Sequence, residues 1–145
     1  MKVDEFMFPN ELKYMKGHMW VSLEGKKALL GLTSLGASLS KEIVHIDLPL
    51  EDEVFEALEP LASFETIKSV TEVNSPFRCR VLKTNQLLLD KPSLLNKDPY
   101  ARGWIAQIEA LDEIPQDELM NVGEAVKYYK QILSAERDKY KGIYE

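Results

Sequence analysis

The chain has 145 residues, a net charge of −6, 45% apolar and 29% charged residues, and a single cysteine. That length suits one domain over residues 1–145, large enough to bury a core of its own, and the balance is ordinary for a globular chain. One cysteine excludes a disulfide framework, the acidic charge argues against nucleic acid or an anionic membrane as partner, and no apolar run approaches a membrane span. With Asp4 and Glu5, the N-terminus reads as neither a transit nor a signal peptide, and the single cysteine fits a reducing compartment, so a cytoplasmic location is expected; the expected oligomeric state is a monomer.

Residues 1–16, with Phe6, Met7, Phe8 and Pro9, read as an irregular arm packed on the fold. Residues 19–23 and 27–32 read as strands joined at Glu24-Gly25. Thr33-Ser34 offers an N-cap for a short helix through residue 39. Strands follow over 43–48, ending at Pro49, then over 52–55, 58–67, 69–73 and 79–84. Residues 92–96 suggest a helical turn and 104–110 a last strand. Many short strands at close spacing predict a mainly β domain, an antiparallel β-sandwich or flattened barrel over about 11–118.

A C-terminal helix follows over about 121–141. Asn121 can cap it, with Glu124 three residues on to reciprocate. Val122, Val126, Tyr129, Leu133 and Tyr140 fall on one stripe, while Lys127, Lys130, Glu136 and Asp138 belong to wetter sides. The expected role is to cover a sheet face; a helix that docks a partner is the sharper alternative.

The candidate site is Lys68. Two strand-like runs flank it where the chain should turn, with Glu65 before, Glu72 after, and the turn formers Asn74-Ser75-Pro76 closing the segment. A lysine at a hairpin tip has its backbone held by pairing while its side chain stands free for acylation. A lone lysine there is usually no more than a solvated surface group. The surrounding residues change that. Glu65-Thr66-Ile67-Lys68-Ser69-Val70-Thr71-Glu72 resembles the lipoyl-lysine hairpin of H proteins of the glycine cleavage system. Tyr14 with His18-Met19-Trp20-Val21 is similar to the family's opening motif, and Gly31-Leu32-Thr33 through Leu48-Pro49 to its next block. Asn96-Lys97-Asp98-Pro99-Tyr100-Ala101-Arg102-Gly103-Trp104 resembles its late signature, and the match runs over roughly residues 11–125.

The resemblance implies two antiparallel sheets with the hairpin at one end and lipoate bound covalently to Lys68. Glu65, Thr66, Ile67, Ser69 and Glu72 would form the hairpin recognised by a lipoate ligase or lipoyl transferase. Biotin carriers place methionines on both sides of their lysine, where this chain has Ile67 and Ser69. A lipoyl dithiolane forces its C–S–S–C torsion far below the preferred ~90°, so the disulfide opens easily. The protein supplies position and mobility rather than an acid or base, which makes it a carrier and not an enzyme, with no catalytic residue.

No metal site is expected. His18 and His45 lie apart, and one cysteine does not complete a zinc set, although carboxylates could. His18 reads as structural. Strand alternation turns Cys79 toward the core and its neighbours Arg78 and Arg80 toward water.

Lys41, Asp52, Leu58, Ala62 and Cys79 stand where H proteins have glycine, so the turns there are expected to be rebuilt. Met19 replaces an acid. These departures and the long last helix point to the divergent lipoate-binding relatives of H proteins in sulfur-oxidising prokaryotes, which work with a heterodisulfide-reductase-like complex. An H protein carrying the aminomethyl group among the glycine cleavage enzymes is the alternative, and a binding module without lipoate the third reading.

Overall fold

The computed structural model describes the backbone of residues 1–144 and the side chains of residues 1–137; the side chains of Asp138 and Tyr140 lie outside the described residues. The N-terminal arm is more regular than its sequence suggests. Strands β1 (Lys2–Val3) and β2 (Phe6–Met7) form a small ribbon, and β3 (Lys13–Met15) pairs with β4 (Met19–Glu24). Pairs of two or three residues carry no period to read, so only their partners make them strands.

The next turn is Gly25-Lys26, with Gly25 at a φ of 61° that glycine adopts freely, and it returns the chain in β5 (Lys27–Leu32). Helix α1 (Ser34–Ser40) starts as expected, the Thr33 hydroxyl accepting from the Gly36 N–H at 3.0 Å. The strands β6 (His45–Asp47) and β7 (Val54–Phe55) are shorter than the runs 43–48 and 52–55. β8 (Pro60–Glu65), β9 (Val70–Asn74) and β10 (Cys79–Thr84) follow. Helix α2 (Leu87–Asp90) was not anticipated; α3 (Leu94–Lys97), β11 (Ala106–Ala110) and α4 (Val122–Tyr144) complete the order.

Six strands form one antiparallel sheet in the order β3-β4-β5-β11-β10-β7, and three form a second in the order β6-β8-β9. Both sheets feed one core: Leu30, Val81 and Ile108 from the first meet Ile46, Phe64 and Val73 from the second. This is the expected mainly β sandwich. A second apolar cluster joins Phe8, Tyr14, Trp20 and Leu35 to Ala125 and Tyr129 of α4. The helix is capped as its sequence implies: Glu124 N–H donates to Asn121 Oδ1 at 2.9 Å, and Asn121 N–H to Glu124 Oε1 at 3.1 Å. Arg137 pairs with Asp4 and so ties α4 to the arm. The covering role of the helix is therefore what the structure has.

The turns that lack glycine keep a left-handed backbone. Lys41, Asp52 and Leu58 have φ of 68°, 68° and 67°, positive values that cost a non-glycine residue about 1–3 kcal/mol each. Two of them sit in a repeated device. In the turn 50–53, Glu53 N–H donates to Leu50 O at 3.2 Å while Glu53 Oε1 accepts from Leu50 N–H at 3.0 Å. In the turn 56–59, Glu59 N–H donates to Glu56 O at 3.2 Å and Glu59 Oε1 accepts from Glu56 N–H at 2.7 Å. The glutamate closes each turn from both sides and offsets the missing glycine. Ala62 and Cys79 are not turn residues at all; both are buried strand positions where a small side chain fits the core.

Candidate functional site

The lysine turn is built from its flanks inward. β8 and β9 pair with Ser63 opposite Glu72, Phe64 opposite Thr71 and Glu65 opposite Val70. Phe64, 1% exposed, and Val73 anchor this hairpin in the core. Thr66 N–H donates to Ser69 O at 2.9 Å, closing a turn with Ile67 and Lys68 at its tip. The Thr66 hydroxyl oxygen accepts from Ser69 N–H at 3.2 Å and lies 3.1 Å from the Ser69 hydroxyl. A threonine opening a turn in this way pre-shapes it, which is why the sequence bends there. Lys68 is exposed, and among the described residues it has no ion-pair partner. The side chain is free while the backbone beneath it is held.

The expected recognition residues divide by face. Glu65 and Glu72 share the outer face of the three-stranded sheet, Glu65 half-buried and Glu72 exposed. Thr66 and Ser69 shape the turn, whereas Ile67, 85% exposed, projects an apolar side chain into solvent beside Lys68. A cleft of about 400 Å³ separates the turn from the end of α1, walled by Leu39, Ser40, Lys41 and Glu42 on one side and residues 66–69 on the other.

Asn96 holds the segment that forms one wall of that cleft. Its Nδ2 donates to Lys41 O at 2.7 Å and to Ala37 O at 3.2 Å, and its Oδ1 accepts from Ile43 N–H at 3.0 Å. One side chain thus clamps the end of α1 and the segment leading into β6. The rest of its motif is structural too. Trp20 Nε1–H donates to Pro99 O at 3.0 Å, and the Tyr100 hydroxyl to Met7 O at 2.6 Å. Gly103 leaves no room for a Cβ, which would stand 2.6 Å from Leu94 O. The Asn96–Trp104 signature was visible in the sequence, but its clamping of the cleft was not, because the contacts lie more than fifty residues away.

The other singled-out residues do not join the site. His18 packs its ring 5.1 Å from Tyr129, and burial lowers its pKa below the ordinary imidazole value. Its backbone N–H donates to the Tyr129 hydroxyl at 3.0 Å, so it is structural, as expected. Cys79 is fully buried, with Arg78 and Arg80 exposed on either side, as strand alternation requires. Burial raises the thiol's pKa, opposed by the Ser75 hydroxyl 3.3 Å away. Cys79 in native protein is therefore expected to react slowly with a thiol reagent and rapidly in denaturant. Cys79→Ser is expected to lose about 1 kcal/mol or more of stability, measured by urea unfolding. Fast native labelling would mean a thiol open to chemistry.

Comparison with known proteins agrees with this geometry. The family model for the glycine cleavage H-protein matches residues 12–132. The chain is 38% identical over 128 residues to a glycine cleavage system H protein of Halalkalibacterium halodurans, covering 88% of this chain and 97% of that one. It is 32% identical over 137 residues to glycine cleavage system H protein 4 of Aquifex aeolicus, covering 94% and 80%. The crystal structure of a glycine cleavage system H protein from Mycobacterium marinum superposes with a TM-score of 0.77 at 23% identity, over 84% of this chain and 98% of that one, which establishes the common fold. The family match over residues 12–132 and the 38% identity to a relative covered almost whole make this chain a member of the glycine cleavage H-protein family, lipoyl carriers that hold lipoate on a lysine.

Proposed function

We propose that Lys68 is the lipoyl attachment site and that the chain acts as a swinging-arm carrier for the glycine cleavage enzymes. The observation that supports attachment is the hairpin itself: a free ammonium on a turn fixed by Thr66 and Ser69, inside the family's motif. A lipoate ligase or lipoyl transferase would read Glu65, Thr66, Ile67, Ser69 and Glu72 and join the lipoyl carboxyl to Lys68 Nζ as an amide. The residues present fit such a group, since Leu39 and Ile67 offer apolar walls beside Lys68 for an aliphatic arm. Bound lipoate would supply a strained disulfide that opens readily. Intact mass of protein from its host, with the modified peptide located, tests the attachment; an unmodified chain would favour a binding module without lipoate.

Two arguments for a different pathway lose force. Met19 is 2% exposed in the core, so the missing acid does not change a docking face, and Lys41, Asp52 and Leu58 adopt the positive φ that glycine favours. That the similar proteins are glycine cleavage system H proteins supports a place among the glycine cleavage enzymes.

A sulfur-oxidation role with a heterodisulfide-reductase-like complex remains the second reading. In its favour, the cleft beside Lys68 has Leu39, Ile67 and Lys41 against the single carboxylate of Glu42, a lining better suited to a neutral or anionic sulfur cargo than to an amine. Glycine–bicarbonate exchange, reconstituted with lipoylated protein as the only H component, decides between them. The expected rate is close to that of a genuine H protein. Little or no exchange would shift the assignment to the thiol pathway.

A further inference from the structure

The outer face of the three-stranded sheet gathers an imidazole and two carboxylates at the base of the lysine hairpin. His45 and Asp47 are two residues apart on β6, so both point outward while Ile46 between them is buried. Glu65 of β8 stands directly across from His45 in the antiparallel ladder. One potential ligand atom from each of the three lies within 4.8 Å of the others, and His45 Nε2 is 3.0 Å from Asp47 Oδ1.

We propose that His45, Asp47 and Glu65 form a binding site for a divalent transition-metal ion, Zn²⁺ or Ni²⁺ in class. Two donors held ~2.1 Å from one ion stand roughly 3.0–3.4 Å apart in octahedral or tetrahedral arrangements, so the His45–Asp47 pair already has the needed separation. Glu65 brings the third donor atom within 4.8 Å of the other two. The charge points the same way. Among the described residues, Asp47 has His45 as its only ion-pair partner and Glu65 has none, so two carboxylates converge on one imidazole with no lysine or arginine to neutralise them. A dication is the missing charge. One nitrogen with two oxygens selects zinc or a first-row ion of similar preference over calcium or magnesium, which take oxygen donors alone. Because the site faces solvent at an edge strand, water would fill the remaining coordination positions.

The inference is independent of what the arm carries, and its failure would leave Lys68 untouched. Tag-free full-length protein, stripped with chelator, is titrated calorimetrically with Zn²⁺, Ni²⁺ and Ca²⁺, and its melting is followed with and without each ion. The expected result is one Zn²⁺ or Ni²⁺ per chain with a raised melting midpoint, and no response to Ca²⁺. His45→Ala should abolish both signals. Asp47→Asn and Glu65→Gln should each weaken binding by about tenfold or more, since even groups that merely orient a ligand contribute ~10–100-fold. Glu72→Gln, on the same face outside the cluster, should bind as wild type. Absence of Zn²⁺ and Ni²⁺ binding, binding that survives His45→Ala, or equal response to Ca²⁺ would each overturn the site. Circular dichroism of the variants confirms that these exposed or half-buried substitutions leave the fold intact.

Discussion

Lys68→Arg is expected to fold as wild type and to carry no lipoyl group. Arginine keeps the positive charge and the long flexible stem, and the turn beneath it is held by Thr66 and Ser69 rather than by Lys68. What changes is the nucleophile. A guanidinium stays protonated at any accessible pH and spreads its lone pairs over three nitrogens, so it does not form the amide. Co-expression with a lipoate ligase followed by intact-mass analysis reads the outcome directly. Wild type should shift by one lipoyl increment and the variant by none, while melting midpoints stay alike because the side chain is exposed. An increment persisting on the variant would place attachment elsewhere and remove Lys68 from the proposal.

Tyr129→Ala is expected to cost about 3–5 kcal/mol, the range for removing a large aromatic from a core. Tyr129 is fully buried, stacked on Phe8 at 5.5 Å and set edge-on to Tyr128 at 4.9 Å. Its hydroxyl donates to Met15 O at 2.5 Å and accepts from His18 N–H at 3.0 Å. Burial pushes its pKa well above the ordinary phenol value, against the opposing hydrogen bond from His18 N–H. The substitution would leave a cavity and two backbone groups without partners. For a chain of this size the loss corresponds to a fall in melting midpoint of roughly 6–20 °C. Tyr129→Phe keeps the ring and should lose only about 1–3 kcal/mol, through the unpaired carbonyl and N–H. A loss below about 1 kcal/mol for Tyr129→Ala would mean that α4 is not part of the core and would revive its reading as a docking helix.

The order and kind of most elements were legible because they rest on local rules. The run 79–84 reads as a strand and is one, and the Asn121–Glu124 pair caps its helix, since both signals span only a few residues. The lysine hairpin was legible for the same reason: turn formers, strand formers and a motif lie within one dozen residues. What stayed hidden depends on residues distant in sequence. One exception is local: the loss of glycine at Asp52 and Leu58 suggests a rebuilt turn, yet Glu53 and Glu59 each close a positive-φ turn by hydrogen bonds to a residue three positions back. Asn96 holds the cleft-lining segment at Lys41 from more than fifty residues away, and Tyr129 reaches Met15 across 114. His45 meets Glu65 only because β6 pairs with β8 in that register, which a three-residue strand cannot announce. Local propensity therefore determined most of the longer strands and helices, and the motif around the hairpin singled out the candidate lysine. Packing and long-range pairing, whose loop-closure entropy is offset only when the whole sandwich forms, decided the walls around that lysine and the company its hairpin keeps.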